Sequence, residues 1–226
     1  HSRGRQTETT AERITLRRRT ITKNYSITNI VMQRCRDFEK TFPLVPNTWH
    51  RCHQYAISDI LMPNIKNVWS FGISKECKME ERIREHNKET KIYTWDPTPI
   101  SQATIDKANS RMAGINHTNK AYDPENESLT FYTTDPTKRC YSLENFDPAN
   151  LVHSYTVDCV SIKKIVEQLG KDVDLIKFDI EGRWYEICNE IFDLGLPVKQ
   201  VVGEFEMYMG DTDVEFQKLN QIIDLF

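Results

Sequence analysis

The amino-acid sequence predicts an α/β fold in which a parallel β-sheet is covered by helices on both faces. From residue 64 onward, short apolar runs alternate with segments of helical periodicity. Such alternation is typical of parallel strands joined by helices, and right-handed crossovers leave few topologies for them. Three of the apolar runs also end in a glycine or a carboxylate, at the strand ends where parallel sheets place their ligand sites.

The strands are predicted from apolar or β-branched runs bounded by turn residues. The second run stops at two prolines, and a polar, proline-bearing stretch from about 135 to 150 is expected to be an irregular insertion. The predicted strand segments are NVWSFGIS, TKIYTWDPTP, INHTNKAYD, SLTFYTT, VDLIKFDIE and VKQVVGEFEMY.

The helices are predicted from apolar residues that recur at helical spacing on otherwise polar segments. Ser101 is placed to cap the second of them, and Gly170 and Gly195 are placed to end the third and fourth. The predicted helical segments are KECKMEERIREHN, SQATIDKANSRMAG, SIKKIVEQLG, WYEICNEIFDLG and DVEFQKLNQIIDLF.

The N-terminal residues are expected to form a polar arm, 1–25, and a helical extension, 26–63, ahead of an α/β domain over 64–226. The arm has few large apolar residues and three consecutive arginines from Arg17. This is typical of a solvated tail, with a phosphate- or partner-binding arm as the alternative. In the extension, helical spacing in ITNIVMQRCRDFEKTF is followed by a second short helix predicted in TWHRCHQYAISDI.

Composition and charge exclude several classes of protein. The hydrophobic content of 38% suits a folded globule. A net charge of −3 gives no reason to expect a nucleic-acid partner, and no apolar run reaches the ~18 residues of a membrane span. The chain begins with His1 instead of Met, so we expect a processed product or a fragment. The oligomeric state is left open.

The cysteines and the glycosylation motifs bear on the compartment. The six cysteines lack CxxC spacing, so no zinc site is expected. If a disulfide forms, Cys35 and Cys52 are the expected pair, because both lie outside the motifs discussed below. Sequons at Asn24, Asn116 and Asn126 permit N-glycosylation. They favour the secretory pathway or Golgi lumen over the cytoplasm.

The charged strand ends are the candidate functional residues. Asp179 and Glu181 end the strand VDLIKFDIE, and a parallel central strand accommodates charge only where it leaves the core. Gly72 permits a sharp turn and the approach of a ligand to the backbone. Asp96 follows the second strand, where a carboxylate can accept hydrogen bonds from both ribose hydroxyls. An Asp-Pro turn is the alternative role for Asp96.

The cofactor is predicted from what these motifs contain and lack. Neither GxGxxG nor GxxxxGK[ST] is present in the sequence. A ribose site without a pyrophosphate cradle indicates a nucleoside-type cofactor. S-adenosylmethionine has a ribose, no phosphate and a cationic sulfonium, and acidic strand ends suit a cation better than a phosphate.

The segments VWSFGIS, KIYTWDPTP and VDLIKFDIEGRWYEI resemble those of FkbM-type methyltransferases, especially the eukaryotic methyltransferase-like branch. The resemblance covers roughly 67–208. It implies the Rossmann-like class I methyltransferase fold with strand order 3-2-1-4-5, S-adenosylmethionine as cofactor, and methylation of a hydroxyl on a glycan or small metabolite. The cofactor-binding residues that it implies are Ser70, Phe71, Gly72, Ile73, Asp96, Pro97 and Asp179.

The sequence departs from the family pattern at three places. The first loop has one glycine, and Ser70 stands where methyltransferases commonly carry an acidic residue. On the fifth strand, Glu206 stands where relatives often carry a histidine, so a carboxylate would have to act as the base. The family usually continues into a terminal strand pair, whereas this chain stops at Phe226, so we expect a sheet without that pair.

Four carboxylates are the candidate catalytic residues. If the fourth and fifth strands are neighbours, Asp179 and Glu181 lie near Glu204 and Glu206, and methyl transfer to a hydroxyl requires removal of its proton. Their mutual repulsion could be offset by Lys177 or by a raised pKa of one carboxylate. A divalent cation bound by Asp179, Glu181 and Glu206 is the third possibility.

Several of these residues also fit purely structural roles. Glu181 could cap the following helix, and Lys177 could pair with an acid on the next strand. Core packing is the alternative to stacking on adenine or a sugar for Trp69, Trp95 and Trp184. For the whole protein, the alternatives are a non-catalytic binding module of methyltransferase fold and a divalent-metal-dependent hydrolase that uses the carboxylate cluster.

Overall fold

A computed structural model shows the arrangement of most of the chain. The described residues are 49–52, 55–58, 61–112, 114–133, 153–180, 182–205 and 212–225. The predicted arm, the first helix of the extension and the insertion at about 135–150 lie outside them. Across these ranges no helix combines the length and the apolar character needed to cross a membrane.

The chain divides into two compact units. One comprises Pro46–Glu206 and Phe216–Phe226 and holds every strand described below. The other comprises His1–Val45 and Met207–Glu215, of which 212–215 are described.

The secondary structure alternates between strands and helices over most of its length. The strands are β1 (Trp49–Cys52), β2 (Tyr55–Ser58), β3 (Asn67–Phe71), β4 (Lys91–Trp95), β5 (Ile115–Thr118), β6 (Ala121–Tyr122), β7 (Ser128–Thr133), β8 (His153–Val160), β9 (Leu175–Phe178) and β10 (Gln200–Gly203). The helices are α1 (Lys78–His86), α2 (Pro99–Arg111), α3 (Ile162–Leu169), α4 (Trp184–Asp193) and α5 (Thr212–Leu225).

Five parallel strands form the central sheet in the order β10-β9-β3-β4-β5. Counted along the chain, this is the order 3-2-1-4-5 read from the other edge, so the predicted fold class and strand order are confirmed. All four residues of β9 are buried, as are the last four of β3. A parallel strand in the middle of a sheet is covered on both faces, which explains why these runs are almost wholly apolar.

The helix α3 ends at the glycine predicted for it, whereas the predicted cap of α2 is wrong. Ser161 caps α3, accepting a hydrogen bond from the backbone N–H three residues on, and Gly170 ends that helix with φ +79°. Ser101 is not the cap of α2, because Thr98 holds that position and Pro99 begins the helix. A proline is preorganised for the first helical position. Ser101 lies inside the first turn, where its hydroxyl donates to the Thr98 carbonyl at 2.7 Å.

The segment before the central sheet forms a β-hairpin where a short helix was predicted. β1 and β2 pair antiparallel, with Trp49 opposite Ser58 and Cys52 opposite Tyr55. Cys52 and Ile57 are fully buried, so strand pairing and burial override a spacing that is also compatible with a helix. Cys52 is a buried free cysteine, and Cys35, the partner considered for it, lies outside the described residues, so that pairing stays a prediction.

A second sheet has the order β6-β8-β7, in which β7 and β8 are antiparallel. The strand β8 was not predicted, because its sequence HSYTVDCV lacks a long apolar run. Alternate residues of β7 and β8 face a small apolar cluster. Its buried members are Ala121, Phe131, Val157 and Cys159.

The Asp174 carboxylate joins the amino-terminal ends of three central strands. One oxygen accepts hydrogen bonds from the backbone N–H groups of Lys66 and Asn67, at 2.7 and 3.0 Å. The other lies 2.6 Å from the Lys199 ammonium. Burial favours a higher pKa for Asp174, but the hydrogen bonds from Lys199 and the two backbone groups outweigh it, and the pKa is lowered.

We expect Asp174→Asn to lower the free energy of unfolding by about 1–3 kcal/mol at neutral pH, because buried backbone donors lose a charged acceptor. A lowered folded-state pKa stabilises the protein above the unfolded pKa of about 3.9, and this contribution is lost as pH falls through the folded value. Urea unfolding from pH 7 to pH 3 should therefore show the gap between variant and wild type closing.

The matched control is Asp172→Asn, because Asp172 accepts one exposed hydrogen bond from the Asn67 side chain. Its effect should be below ~1 kcal/mol. A gap for Asp174→Asn that stays constant across the same pH range would contradict the assigned role.

Candidate active site

The candidate site lies at the carboxyl ends of three neighbouring strands. Phe178 of β9 pairs with Phe71 of β3 on one side and with Gly203 of β10 on the other. The next residue of each strand therefore stands at the same level of the sheet. Those three residues are Gly72, Asp179 and Glu204.

Gly72 is required by the protein's own packing. Its backbone has φ +78°, and a Cβ atom built there would lie 1.8 Å from the backbone oxygen of Asp179. Its N–H donates to the Trp95 carbonyl at 2.9 Å. The end of β9 therefore makes the close approach that the sequence analysis assigned to a ligand. Whether a ligand also meets this backbone stays a prediction.

Lys177 is buried beside these strand ends. Its ammonium donates to the carbonyls of Phe71, at 3.2 Å, and Gly72. It lies 3.9 Å from a carboxylate oxygen of Asp179 and 5.3 Å from the centre of the Tyr55 ring. The ammonium is thus in place to offset the negative charge of Asp179, as the first of the three predicted possibilities requires.

Asp179 faces a cavity of about 360 Å³. Its side chain keeps 31% of its surface exposed, and Oδ2 accepts a hydrogen bond from the Tyr55 hydroxyl at 3.2 Å. The cavity has charged groups of both signs on its walls. The lining residues are Tyr55, Ile73, Ser74, Lys75, Glu76, Lys78, Met79, Glu80, Lys177 and Asp179.

Glu204 and Asp179 are brought together as the neighbouring strands predict. The pKa of Glu204 is raised, first by partial burial of its carboxyl and then by the negative charge of Asp179. Lys177 acts in the opposite direction, while a hydrogen bond with Asp179 raises the pKa further. The Glu204 carboxylate is therefore more basic than that of an ordinary exposed glutamate. The other two predicted carboxylates, Glu181 and Glu206, lie outside the described residues.

Asp96 is 3% exposed, and the protein uses both of its oxygens. Oδ2 accepts from the N–H groups of Ile73 and Ser74, at 2.5 and 2.6 Å. Oδ1 accepts from the N–H and hydroxyl of Thr98, at 2.7 and 2.5 Å. The carboxylate thus ties the loop after β3 to the start of α2, as the alternative of an Asp-Pro turn anticipates. Ribose binding by Asp96 stays a prediction, and a ribose would have to share or displace these donors.

Ser70 forms a hydrogen bond with Glu80, a buried carboxylate that was not among the predicted site residues. Its buried hydroxyl donates to Oε1 of Glu80 at 2.5 Å. Glu80 comes from α1, is 2% exposed and lines the cavity. Its position three residues before the buried Ile83 places both on one helix face. This spacing was the available signal, hidden by the many charges of KMEERIREH.

Most of the other residues implied to bind a cofactor pack inside the protein. Phe71 is fully buried and stacks on Trp95 with ring centroids 4.9 Å apart. Trp69 and Trp184 are each 1% exposed, so core packing accounts for them. Of the residues implied by the resemblance, Ile73 and Asp179 line the cavity, and Pro97 is half-buried beside Asp96.

No group of three potential metal-ligating side chains occurs within the described parts of the chain. The predicted metal ligands were Asp179, Glu181 and Glu206, of which Asp179 alone is described. The structure therefore does not test that set.

The parallel sheet of order 3-2-1-4-5, with its candidate site at the carboxyl strand ends, defines a Rossmann-like methyltransferase fold. Residues 67–224 match the methyltransferase FkbM domain, and the chain belongs to that methyltransferase family. No curated protein matches the chain. Among solved structures, a candidate caffeoyl-CoA O-methyltransferase from Staphylococcus aureus is 11% identical with a TM-score of 0.39, covering 93% of this chain and 87% of its own.

We expect Gly72→Ala to be among the most damaging single substitutions in this domain. A side chain at positive φ costs about 1–2 kcal/mol, and the overlap with the Asp179 backbone oxygen adds to that cost because neither strand end can move freely. Thermal unfolding of the purified variant measures the loss.

Gly170→Ala is the control, because Gly170 has φ +79° and a Cβ atom added there would have no other atom within 4 Å. If both variants lose the same stability, the contact between Gly72 and Asp179 is not the cause.

Proposed function

We propose that this chain is an S-adenosylmethionine-dependent methyltransferase that acts on a hydroxyl oxygen of a glycan or small metabolite. The observation that carries the proposal is the carboxyl pair of Asp179 and Glu204 beside Lys177, of which Asp179 and Lys177 line the cavity. Family membership supports methyl transfer, and the carboxyl pair supports oxygen as the acceptor atom, because a hydroxyl has to lose its proton.

The cavity residues fit the charges of the proposed cofactor. S-adenosylmethionine carries a sulfonium that supplies an electrophilic methyl group, and it also carries an ammonium and a carboxylate. Glu80 and Asp179 present acidic groups to the cavity, and Lys75 presents a basic one. Within the described part of the chain the Glu80 carboxylate has one hydrogen bond, from Ser70 to Oε1, so its second oxygen is available to a cation. The volume of about 360 Å³ lies within the usual range for small-molecule sites.

The carboxyl pair would remove the acceptor proton. A carboxyl of raised pKa is a stronger base once ionised than an ordinary glutamate, which makes Glu204 suited to accept a proton from a hydroxyl. Asp179 stabilises the proton on Glu204 through its charge and hydrogen bond, and Lys177 limits the charge that the pair accumulates. The proton moves from the acceptor oxygen to the pair as that oxygen gains the methyl group.

Cofactor binding is tested first with Glu80→Gln, which keeps the hydrogen bond from Ser70 and removes the charge. We expect calorimetric affinity for S-adenosylmethionine to fall about tenfold or more, because hydrogen bonds to charged groups contribute about 1.5–3 kcal/mol. An equal loss for S-adenosylhomocysteine would assign Glu80 to the ammonium, and a loss confined to S-adenosylmethionine would assign it to the sulfonium.

Glu85→Gln on the same helix is the control, because Glu85 forms an exposed ion pair with Arg82 and should leave affinity unchanged. Wild-type protein with no measurable affinity for either ligand would defeat the proposed cofactor.

Catalysis is tested with Asp179→Asn, which keeps the shape of the side chain and removes its charge. We expect the methyl-transfer rate to fall by ~10²–10⁴-fold, the usual effect of losing general-base assistance, because Glu204 loses the neighbouring charge that makes it the stronger base. Melting temperature and cofactor affinity are measured alongside, so that a loss of rate is separated from a loss of folding or of cofactor binding. The assay follows labelled methyl transfer from S-adenosylmethionine to a panel of oligosaccharides and hydroxylated metabolites, with Asp193→Asn as an exposed control.

The same assay separates the alternatives. Normal turnover of Asp179→Asn would remove Asp179 from the chemistry. Cofactor binding by the wild type without transfer to any acceptor supports the non-catalytic binding module. A rate abolished by chelation and restored by Mg²⁺ or Mn²⁺ supports a cation at the carboxylates instead of neutralisation by Lys177.

A further inference from the structure

A residue outside the family domain reaches the centre of the candidate site. The FkbM domain match begins at residue 67, whereas Tyr55 belongs to the hairpin strand β2 that precedes it. Tyr55 nevertheless lines the cavity together with Lys177 and Asp179. The hairpin, residues 49–52 and 55–58, therefore contributes to a site that the family domain alone does not complete.

The hairpin is fixed to the central sheet by side chains. Gln200 of β10 donates to the Ala56 carbonyl at 2.8 Å and accepts from the Ser58 N–H at 3.0 Å. Ile57 is fully buried in the same core cluster as the central strands. Because side chains alternate along a strand, Tyr55 lies on the same face as Ile57 and packs against that cluster. The position of Tyr55 is thus determined by the fold of the whole sheet.

Tyr55 acts on both charged groups of the site. Its hydroxyl donates to Oδ2 of Asp179 at 3.2 Å, and its ring lies under the Lys177 ammonium at 5.3 Å. The same Oδ2 is the atom that lies 3.9 Å from that ammonium. One oxygen of Asp179 therefore has a hydrogen-bond donor in Tyr55 and an ion-pair partner in Lys177, and rotation of the carboxylate would weaken both contacts.

We propose that Tyr55 is a positioning residue that holds the Asp179 carboxylate in its reactive orientation, and that the hairpin thereby completes the methyl-transfer site. This inference rests on the proposed function. Tyr55 does not exchange protons with the acceptor. Its hydrogen bond favours the ionised carboxylate, and its ring fixes the ammonium that offsets the carboxylate charge.

The test is Tyr55→Phe, which retains the ring and removes the hydroxyl. We expect kcat to fall about tenfold or more, because a hydrogen bond to a charged group is lost, with KM for S-adenosylmethionine unchanged. The acidic limb of the pH–rate profile should move to higher pH, since the ionised form of the carboxyl pair loses a donor. If Tyr55 had only a structural role, Tyr55→Phe would leave the acidic limb of the pH–rate profile where it is in the wild type.

Tyr185→Phe is a closely matched control. The Tyr185 hydroxyl donates to a side-chain oxygen of Gln221 at 2.8 Å, and the Lys218 ammonium lies 5.5 Å from its ring centre. It therefore has the same two kinds of contact as Tyr55, at a place away from the cavity. This variant should keep the wild-type kcat and pH profile. A Tyr55→Phe enzyme with wild-type kcat and pH profile, or an equal loss in Tyr185→Phe, would overturn the proposal.

A double-mutant cycle of Tyr55→Phe and Asp179→Asn, measured by urea unfolding, tests the contact without any turnover. Non-additive losses of stability support the contact, and additive losses overturn it. If the cycle is non-additive but the wild type transfers no methyl group to any acceptor, the proposed function has failed and the positioning role fails with it. If the wild type is active and the cycle is additive, only the role of Tyr55 fails.

Discussion

The burial of the Lys177 ammonium is the constraint on which the site depends. Burying an ammonium away from water costs several kcal/mol unless its N–H groups find hydrogen-bond acceptors and its charge finds a carboxylate. Here the carbonyls of Phe71 and Gly72 and the carboxylate of Asp179 supply that match. Because the carbonyls belong to the end of β3 and the carboxylate to the end of β9, one charged group joins both strand ends. A charged residue inside an otherwise apolar strand is explained by this arrangement.

Much of the fold could be predicted because its elements are specified locally. Apolar runs of four or five residues, separated by amphipathic segments, indicate parallel strands and their crossovers without knowledge of tertiary contacts. The hairpin β1-β2 could not be predicted in this way, because its strands are only four residues long and gain stability from burial of Cys52 and Ile57. The strand β8 was missed for a similar reason, since its pairing with β7 and not its composition defines it.

The site was predictable only where strand geometry alone determines neighbours. Asp179 and Glu204 follow adjacent parallel strands, so their proximity follows from the topology. Glu80 and Tyr55 reach the cavity through a helix face and a separate hairpin, and no local pattern reports such contacts. For Asp96, the place at the end of β4 was predictable, but the groups that donate hydrogen bonds to its carboxylate were not. Two of its four internal hydrogen bonds depend on the path of the loop after β3, and the other two come from Thr98 at the start of α2.

Gly72, Asp179 and Glu204 stand side by side at the ends of three adjacent strands, and this arrangement bears on the order in which the site forms during synthesis. Lys177 and its acceptor Phe71 are 106 residues apart in the chain, and the third strand end is supplied by β10, later still. Contacts of such long sequence separation form slowly, because the loop between them must close first. During synthesis, a chain that has emerged only as far as β9 has the cavity walls from β3 and α1 but lacks Glu204. Glu204 therefore joins the other two strand ends only after β10 has been made and pairs with β9.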